Sequence, residues 1–308
     1  MNKVERLVGS FRWLLWLSLV VLALLALALG LSVLNNNVAF SRLSRISFVN
    51  SLDHSVAAST GWTLAQFSLG ASGELITTDL GAEFASNLAL VHMLVDTGAI
   101  SGDARLQQLS SKIIAGYGQS HAGLMGKMID PAIAGPPLNT AELEEYQRWF
   151  LHALSPAAFP LSAGELADMF TPDKFRMYDA THQLFALTLY RKFNGDTAEL
   201  RSVMDRLARR IAGEAALDFR VSDLYLQRIA FLLAAGRPDL LNARWVERAL
   251  AAQQSDGGWL YSWHGLGPHL FSYRLSGAHP VAHSSAQGMW LTTMLKYRYP
   301  EWIEKNYK

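Results

Sequence analysis

A run of 22 residues without a charged side chain, from Trp13 to Leu34, most strongly constrains this 308-residue chain. At about 1.5 Å per residue, a helix of that length extends roughly 33 Å, enough to cross the ~30 Å hydrocarbon core of a bilayer. Basic residues precede the run and favour an N-terminus in the cytoplasm. The sequence therefore predicts one membrane span, with residues 1–35 forming the cytoplasmic N-terminus and a transmembrane signal anchor.

The alternative for this segment is a cleaved signal peptide, whose apolar region is usually about 7–15 residues long. The run is longer than that, and its Ala-x-Ala pattern, at Ala26 and Ala28, lies inside the run instead of after it. We therefore expect an uncleaved anchor in the cell inner membrane. A single-pass topology would place the C-terminal part in the periplasm or another extracytoplasmic space.

The composition excludes several classes of function. Basic and acidic residues nearly cancel, with 27 against 26, so no excess of positive charge points to a nucleic-acid partner. The absence of cysteine excludes disulfides, thiolate metal sites, iron–sulfur clusters and covalently attached haem. No HxH or HExxH spacing occurs either. The sequence predicts neither a metal site nor a cofactor.

Helical periodicity dominates after a mixed, Ser- and Gly-containing stretch at 36–76, which we interpret as a membrane-proximal connector. We expect helices over 79–97, 103–117, 140–154, 163–170, 177–193, 196–213, 221–235, 239–254 and 281–297. Apolar helices alternate with charged, amphipathic ones, which is typical of inner and outer helices. The predicted fold is all-α: the transmembrane helix, then an α/α toroid over 77–308. An open helical solenoid is the alternative.

The segment from Ala249 to Trp259 reads ALAAQQSDGGW, in which Gln253, Asp256 and the two following glycines form a Q-x-x-D-G-G-W pattern. This pattern resembles a signature of the terpenoid-cyclase-like α/α toroid superfamily. The resemblance implies a toroid near the C-terminus. The catalytic and metal residues of those families have no counterparts in this chain, so the resemblance implies no particular activity. The glycines permit a sharp turn, and the motif is interpreted as structural.

Four apolar helices carry polar residues four apart in their first two turns, which places these residues on one face of each helix. Parallel inner helices would gather them at one end of the barrel, as a polar mouth above an apolar floor. Helix capping is the alternative role for the aspartates. The candidate catalytic residues are Asp179, His182, Asp223 and His283. The candidate substrate-binding residues are Glu83, Gln183, Tyr225, Gln227, Gln287 and Trp263.

Three functional hypotheses follow from this pattern. The first is a cell-envelope enzyme that processes a glycan by acid–base chemistry, as a lyase, epimerase or hydrolase. The second is a non-catalytic scaffold or binding subunit of an envelope membrane complex, with protein partners. The third is a terpenoid- or lipid-modifying enzyme. The expected partners are the membrane, through one span, and an envelope glycan or similar polar substrate, without nucleic acid.

Overall fold

The computed structural model describes residues 3–38, 43–71, 74–116, 143–171, 179–218, 220–265, 272–273 and 279–308. Helix α1 (Lys3–Asn36) contains the predicted span. Its segment Trp13–Asn36 is 24 residues long with a mean hydropathy of 2.8, and within the described residues it is the one helix long and apolar enough to cross a membrane. A signal sequence has the same two properties. Most of this segment is exposed, but Ser32 and Asn36 are buried against the rest of the chain.

The structure is mostly helical, as predicted, with 13 α-helices among the described residues. After α1 come α2 (Arg45–Ala65), α3 (Asp79–Ser86), α4 (Leu88–Ser101), α5 (Ala104–Gly116), α6 (Glu145–Leu154), α7 (Ala163–Phe170), α8 (Asp179–Asn194), α9 (Ala198–Leu217), α10 (Asp223–Ala234), α11 (Ala243–Ala251), α12 (Ala282–Tyr297) and α13 (Pro300–Asn306), with a 3₁₀ turn at Pro238–Leu240.

Among the residues that the structure describes, five short strands connect the helices, although the sequence did not predict any. β1 (Phe67–Leu69) pairs antiparallel with β2 (Leu75–Thr77). β3 (Val221–Ser222), β4 (Ser262–Gly265) and β5 (Ser272–Tyr273) form an antiparallel sheet in that order. Strands of two to four residues are too short to show an alternating pattern in the sequence.

Aromatic rings fill the centre of the helical domain. Helix α12 packs against α4 and α10, and α8 packs against α10 and α6. The ring centroid of Phe185 on α8 lies 4.9 Å from that of Phe231 on α10 and 6.0 Å from that of Trp290 on α12. All three side chains are at most 2% exposed. The apolar floor predicted beneath the polar residues is therefore packed with side chains.

Helix α9 shows how an amphipathic sequence covers this centre. It is the predicted charged outer helix, and it packs against α8 and α10. Its buried residues, which include Leu200, Val203, Met204 and Leu207, recur every three to four positions. The charged residues between them lie on the opposite face, as expected for a helix at the surface of a domain.

The stretch 36–76, expected to be a connector, contains the long helix α2. The hydroxyl of Ser44 caps this helix by accepting a hydrogen bond from the N–H of Ser47 at 3.2 Å. Phe48 and Leu52 are at most 1% exposed, and α2 packs against α11 and α12. Most of the predicted connector is therefore part of the packed domain.

The helix predicted over 79–97 is interrupted at Asn87, which separates α3 from α4. The side chain of Asn87 accepts hydrogen bonds from the N–H groups of Ala89 and Leu90, so it is the N-cap of α4. Asp79 and Glu83 lie on α3, and Thr78 caps that helix. The prediction of one continuous helix over 79–97 was therefore wrong, because the chain forms two helices there.

The Q-x-x-D-G-G-W segment has the structural role predicted for it. Gly257 has φ of 101°, a left-handed conformation that favours glycine. The Gln253 side-chain amide donates to the carbonyl oxygens of Ser55 and Gly257, at 3.1 and 2.8 Å. Trp259 is 1% exposed, and its indole N–H donates to the carbonyl of Ala249 at 2.8 Å. The motif fastens α11 to α2 and to the start of α12.

Candidate functional site

Helices α10 and α12 bring Asp223 and His283 together at their amino-terminal ends. Asp223 is the first residue of α10, and His283 is the second residue of α12. The Nδ1 atom of His283 lies 2.6 Å from Oδ1 of Asp223. The Asp223 side chain is 6% exposed and that of His283 is 29% exposed. The carboxylate is therefore shielded, while the imidazole still reaches solvent.

Backbone and capping contacts hold Asp223 in place without using its carboxylate. Ser222 is the N-cap of α10, and its hydroxyl accepts from the N–H of Tyr225 at 3.3 Å. The N–H of Asp223 donates to the carbonyl of Tyr261 at 2.8 Å. Because Ser222 does the capping, the carboxylate of Asp223 can bind side chains of α12 instead.

This geometry makes His283 suited to proton transfer. A carboxylate bound to Nδ1–H leaves Nε2 with its lone pair, as the atom able to accept a proton. The hydroxyl of Ser284 also donates to Oδ1 of Asp223, at 3.0 Å. Because Ser284 donates to the carboxylate and not to the imidazole, the arrangement differs from a Ser–His–Asp triad, in which histidine receives the serine proton.

His182, on the first turns of α8, lies close enough to this pair to interact with it electrostatically. Burial and the nearby His283 lower the pKa of His182 to about 4, and the negative charge of Asp223 opposes this shift. His182 is therefore neutral at pH 7. Its ring stacks on that of Tyr146 from α6, with centroids 4.2 Å apart and planes 14° apart. Burial and the charge of Glu144 raise the pKa of Tyr146.

Two buried glutamines follow Asp223 and His283 one helical turn later. Gln227 is 0% exposed, and within the described part of the chain neither its Nε2 nor its Oε1 has a hydrogen-bond partner. Gln287 is also 0% exposed; its Nε2 lies 3.1 Å from Nδ1 of His283, and its Oε1 has no partner. Two buried amide side chains with hydrogen-bonding capacity to spare therefore lie one turn below the Asp–His pair.

Two predicted binding residues are engaged elsewhere. The Gln183 amide donates to the carbonyl oxygens of Asp168, Met169 and Thr171, at 2.8–3.0 Å, which satisfies the C-terminal end of α7. The hydroxyl of Tyr225 donates to the side chain of Asn36 at 3.1 Å and to the carbonyl of Trp245 at 3.2 Å. Burial raises the pKa of Tyr225. Both side chains have structural contacts in place of the predicted contact with a substrate.

None of the remaining predicted site residues is observed next to Asp223 and His283 within the described part of the chain. Glu83 is exposed on the separate helix α3. The side chains of Asp179 and Trp263 lie outside the described part of the chain, so their predicted roles stay predictions. Of the four candidate catalytic residues, the structure brings Asp223, His283 and His182 together.

Tyr146 and Ser284 also belong to this site, although neither was predicted from the sequence. Tyr146 belongs to a predicted helix, but its polar spacing does not match that of the other helices. Ser284 follows His283 directly, at a position that the four-residue spacing of polar residues does not select. A signal was present, since Ser284 lies in the same first turn of α12 as His283.

A second polar region lies at the opposite, carboxyl-terminal ends of the central helices, around a cavity of about 340 Å³. His92, at 4% exposed, lines this cavity, and its Nδ1 has no hydrogen-bond partner. Burial lowers the pKa of His92 to about 4. Asp96 accepts from the indole of Trp290 at 2.7 Å and pairs with Arg298 at 3.2 Å. His92 is thus a buried histidine at the wall of a cavity, with one ring nitrogen unpaired among the described residues.

The described residues contain no group of three His, Asp or Glu side chains arranged to hold a metal ion. Comparisons with protein-family models, with curated proteins and with solved structures each gave no match.

Proposed function

We propose that this protein is a membrane-anchored acid–base enzyme of the cell envelope that processes a glycan, with His283 as the proton-accepting group. The observation that carries this proposal is the contact of 2.6 Å between Nδ1 of His283 and the carboxylate of Asp223. A carboxylate in this position orients the ring, fixes its tautomer and stabilises the imidazolium formed after proton transfer.

The surroundings favour proton abstraction, as in a lyase or epimerase, over hydrolysis. Glycoside hydrolysis uses two carboxylates on either side of the scissile bond. Asp223 is already bound to both His283 and Ser284, so it serves as the partner of the histidine. In the proposed step, Nε2 of His283 removes a proton next to a sugar carboxylate. Tyr146, beside neutral His182, supplies the proton needed by the leaving oxygen or by the opposite face of the carbon.

The proposed architecture is an α/α toroid held to the inner membrane by α1, with its N-terminus in the cytoplasm and the domain in the periplasm. The packing of α4, α8, α10 and α12 around shared aromatic rings supports the toroid. Asn36 supports an anchor that is retained, because its side chain is buried and hydrogen-bonded to Tyr225 in the domain. Cleavage after Asn36 would remove that contact, and cleavage within the apolar run would separate Asn36 from the helix that ends at it.

A second candidate is a non-catalytic binding subunit of an envelope complex. The packed aromatic centre, with Phe185, Phe231 and Trp290 at most 2% exposed, favours this candidate, because a filled barrel leaves less room for a substrate. The same packing disfavours the terpenoid-modifying hypothesis, which needs a deep aromatic pocket. The two leading candidates differ in whether His283 transfers protons.

The test is an assay of the full chain in detergent with uronate-containing and neutral glycans in D₂O. Deuterium incorporation measured by mass spectrometry detects an epimerase, and ultraviolet absorption by unsaturated sugars detects a lyase. We expect turnover of a uronate glycan, and His283→Ala should reduce the rate by about 10²–10⁴-fold. The matched control is His54→Ala, because His54 is an exposed histidine on α2.

Two results would count against the enzyme proposal. One is equal turnover by His283→Ala and the unchanged chain. The other is a folded, unchanged chain that exchanges no glycan proton on any substrate of the panel. Circular dichroism of each variant shows whether a loss of rate comes from unfolding. Asp223→Asn, which keeps the shape of the side chain, serves as the second variant if His283→Ala does not fold.

A further inference from the structure

The junction between anchor and domain is rigid, because the last turn of α1 is built into the domain. Asn36 is 0% exposed, and its Nδ2 donates to the carbonyl of Ala215 at 2.8 Å. Its Oδ1 accepts from Tyr225 at 3.1 Å and also from Arg248. Asn36 therefore binds α9, α10 and α11 at once.

The residues on either side of Asn36 extend this junction. The guanidinium of Arg244 donates to the carbonyl and the side-chain oxygen of Asn35, at 3.3 and 3.2 Å. Asn37 donates to the carbonyl of Ala216 at 2.6 Å. Arg244 is 2% exposed. Three consecutive asparagines thus satisfy polar groups at the ends of helices that belong to the domain, which a flexible tether would not do.

This junction places the Asp223–His283 pair close to the end of the anchor. Asp223 precedes Tyr225 by two residues of α10, a rise of about 3 Å. Tyr225 reaches Asn36 directly with its hydroxyl. Residues two apart on a helix face opposite sides, so Asp223 reaches His283 on one side of α10 while Tyr225 reaches Asn36 on the other. With side chains extending about 5–6 Å from the helix axis, the width of one helix, on the order of 15–20 Å, separates the pair from the last turn of the anchor. The end of α9 and the start of α10 face the same junction.

Exposed apolar side chains occur at this end of the domain. Leu217 is 71% exposed and follows Ala216, whose carbonyl binds Asn37. Tyr261 is 59% exposed, and its carbonyl binds the N–H of Asp223. Leu34, in the last apolar turn of the anchor, is 69% exposed. An exposed leucine and tyrosine beside a membrane span are suited to the bilayer interface, where tyrosine is enriched.

We propose that this end of the domain rests on the bilayer surface through Leu217 and Tyr261, and that the Asp223–His283 site therefore acts on a lipid-linked glycan. The substrate class rests on the function proposed above, whereas the contact with the bilayer does not. The surface formed by Leu217 and Tyr261 is expected to contact lipid because it lies beside the anchor. The junction holds Leu217 next to the point where the apolar run ends.

The contact with lipid can be measured without any activity. The chain contains no cysteine, so single cysteines label one site each. Leu217→Cys and Tyr261→Cys, with an environment-sensitive fluorophore, are compared in nanodiscs of phosphatidylethanolamine and phosphatidylglycerol with and without nitroxide-labelled lipid. Lys192→Cys, at the exposed end of α8 opposite the site, is the matched control.

We expect nitroxide lipid to quench the labels at positions 217 and 261 several-fold more than the label at 192. Equal quenching at all three positions, or none at 217 and 261, would overturn the proposed surface. The substrate class is tested on one uronate oligosaccharide, supplied either on a lipid diphosphate in the nanodisc or released into water. Faster turnover of the lipid-linked oligosaccharide than of the released one supports the proposed substrate class.

Equal or faster turnover of the released oligosaccharide overturns the substrate class and leaves the enzyme proposal standing. If the full chain turns over neither form, and quenching still occurs at positions 217 and 261, the proposed function fails and with it the substrate class, while the bilayer contact survives. The two failures therefore give different results.

Discussion

His283 and Asp223 meet side chain to side chain at the first turns of two neighbouring helices, with Nδ1 and Oδ1 2.6 Å apart. The two residues are 60 positions apart in the sequence, so only the packing of α10 against α12 brings them together. The helix ends supply free N–H groups and a favourable field for the carboxylate.

Replacing Asp223 by asparagine tests the carboxylate directly. The variant keeps the size of the side chain but loses the charge that stabilises a protonated His283, and the amide can hold the ring in the wrong tautomer. We expect the turnover rate to fall by about 10²–10⁴-fold, with a small change in melting temperature. The measurement is steady-state kinetics on the glycan identified in the panel, with His54→Ala as control. Unchanged kinetics in a folded Asp223→Asn variant would show that the carboxylate has no part in the reaction.

The sequence predicted those features that arise from local patterns. The apolar run of α1 requires no partner to be recognised, and the helices with regular apolar spacing, such as α8 and α9, were found within a few residues of their observed ends. The four-residue spacing of Asp223 with Gln227 and of His283 with Gln287 correctly placed each pair on one helix face. These features depend on residues that are close in sequence.

Features that depend on distant partners were not predictable in the same way. Gln183 was assigned to a substrate, but it satisfies carbonyl groups at the end of α7 that only the folded chain brings near. Tyr225 binds Asn36, which is 189 positions away. Helix α2 has a weakly amphipathic sequence with many serines and threonines, so its burial against α12 leaves little trace in the pattern.

Acid should destabilise the protein between about pH 6.5 and pH 4. Burial lowers the pKa values of His92 and His182 from 6.5 to about 4, so the unfolded chain binds protons in this range before the folded chain does. Stability therefore rises with pH across this window and is lost as the pH falls. The measurement is the denaturant midpoint at several pH values. His92→Phe should show a shallower loss, and an equally steep loss in that variant would exclude His92 as a cause.

Asn36→Ala should loosen the junction between α1 and the rest of the chain. The change removes the acceptor for Tyr225 and Arg248 and leaves the carbonyl of Ala215 without its donor. Buried groups left unpaired cost about 1–3 kcal/mol, so we expect a loss of that size in the free energy of unfolding. The measurement is denaturation of the full chain in detergent. Asn37→Ala, at an exposed asparagine, should cost less; equal losses would show that burial of Asn36 is unimportant.

Gly257→Ala should weaken the turn that follows α11. Gly257 has φ of 101°, where an L side chain is strained, and an added Cβ would collide with the carbonyl oxygen of Ala58 on α2. The expected cost is about 2–4 kcal/mol in the free energy of unfolding. Gly164→Ala on α7 is the matched control, because nothing lies within 4 Å of its added Cβ. Replacing glycine by alanine within a helix should increase the free energy of unfolding by about 0.5 kcal/mol. Similar melting temperatures for the two variants would show that the turn tolerates a side chain and that the motif does not fasten α11 to α2.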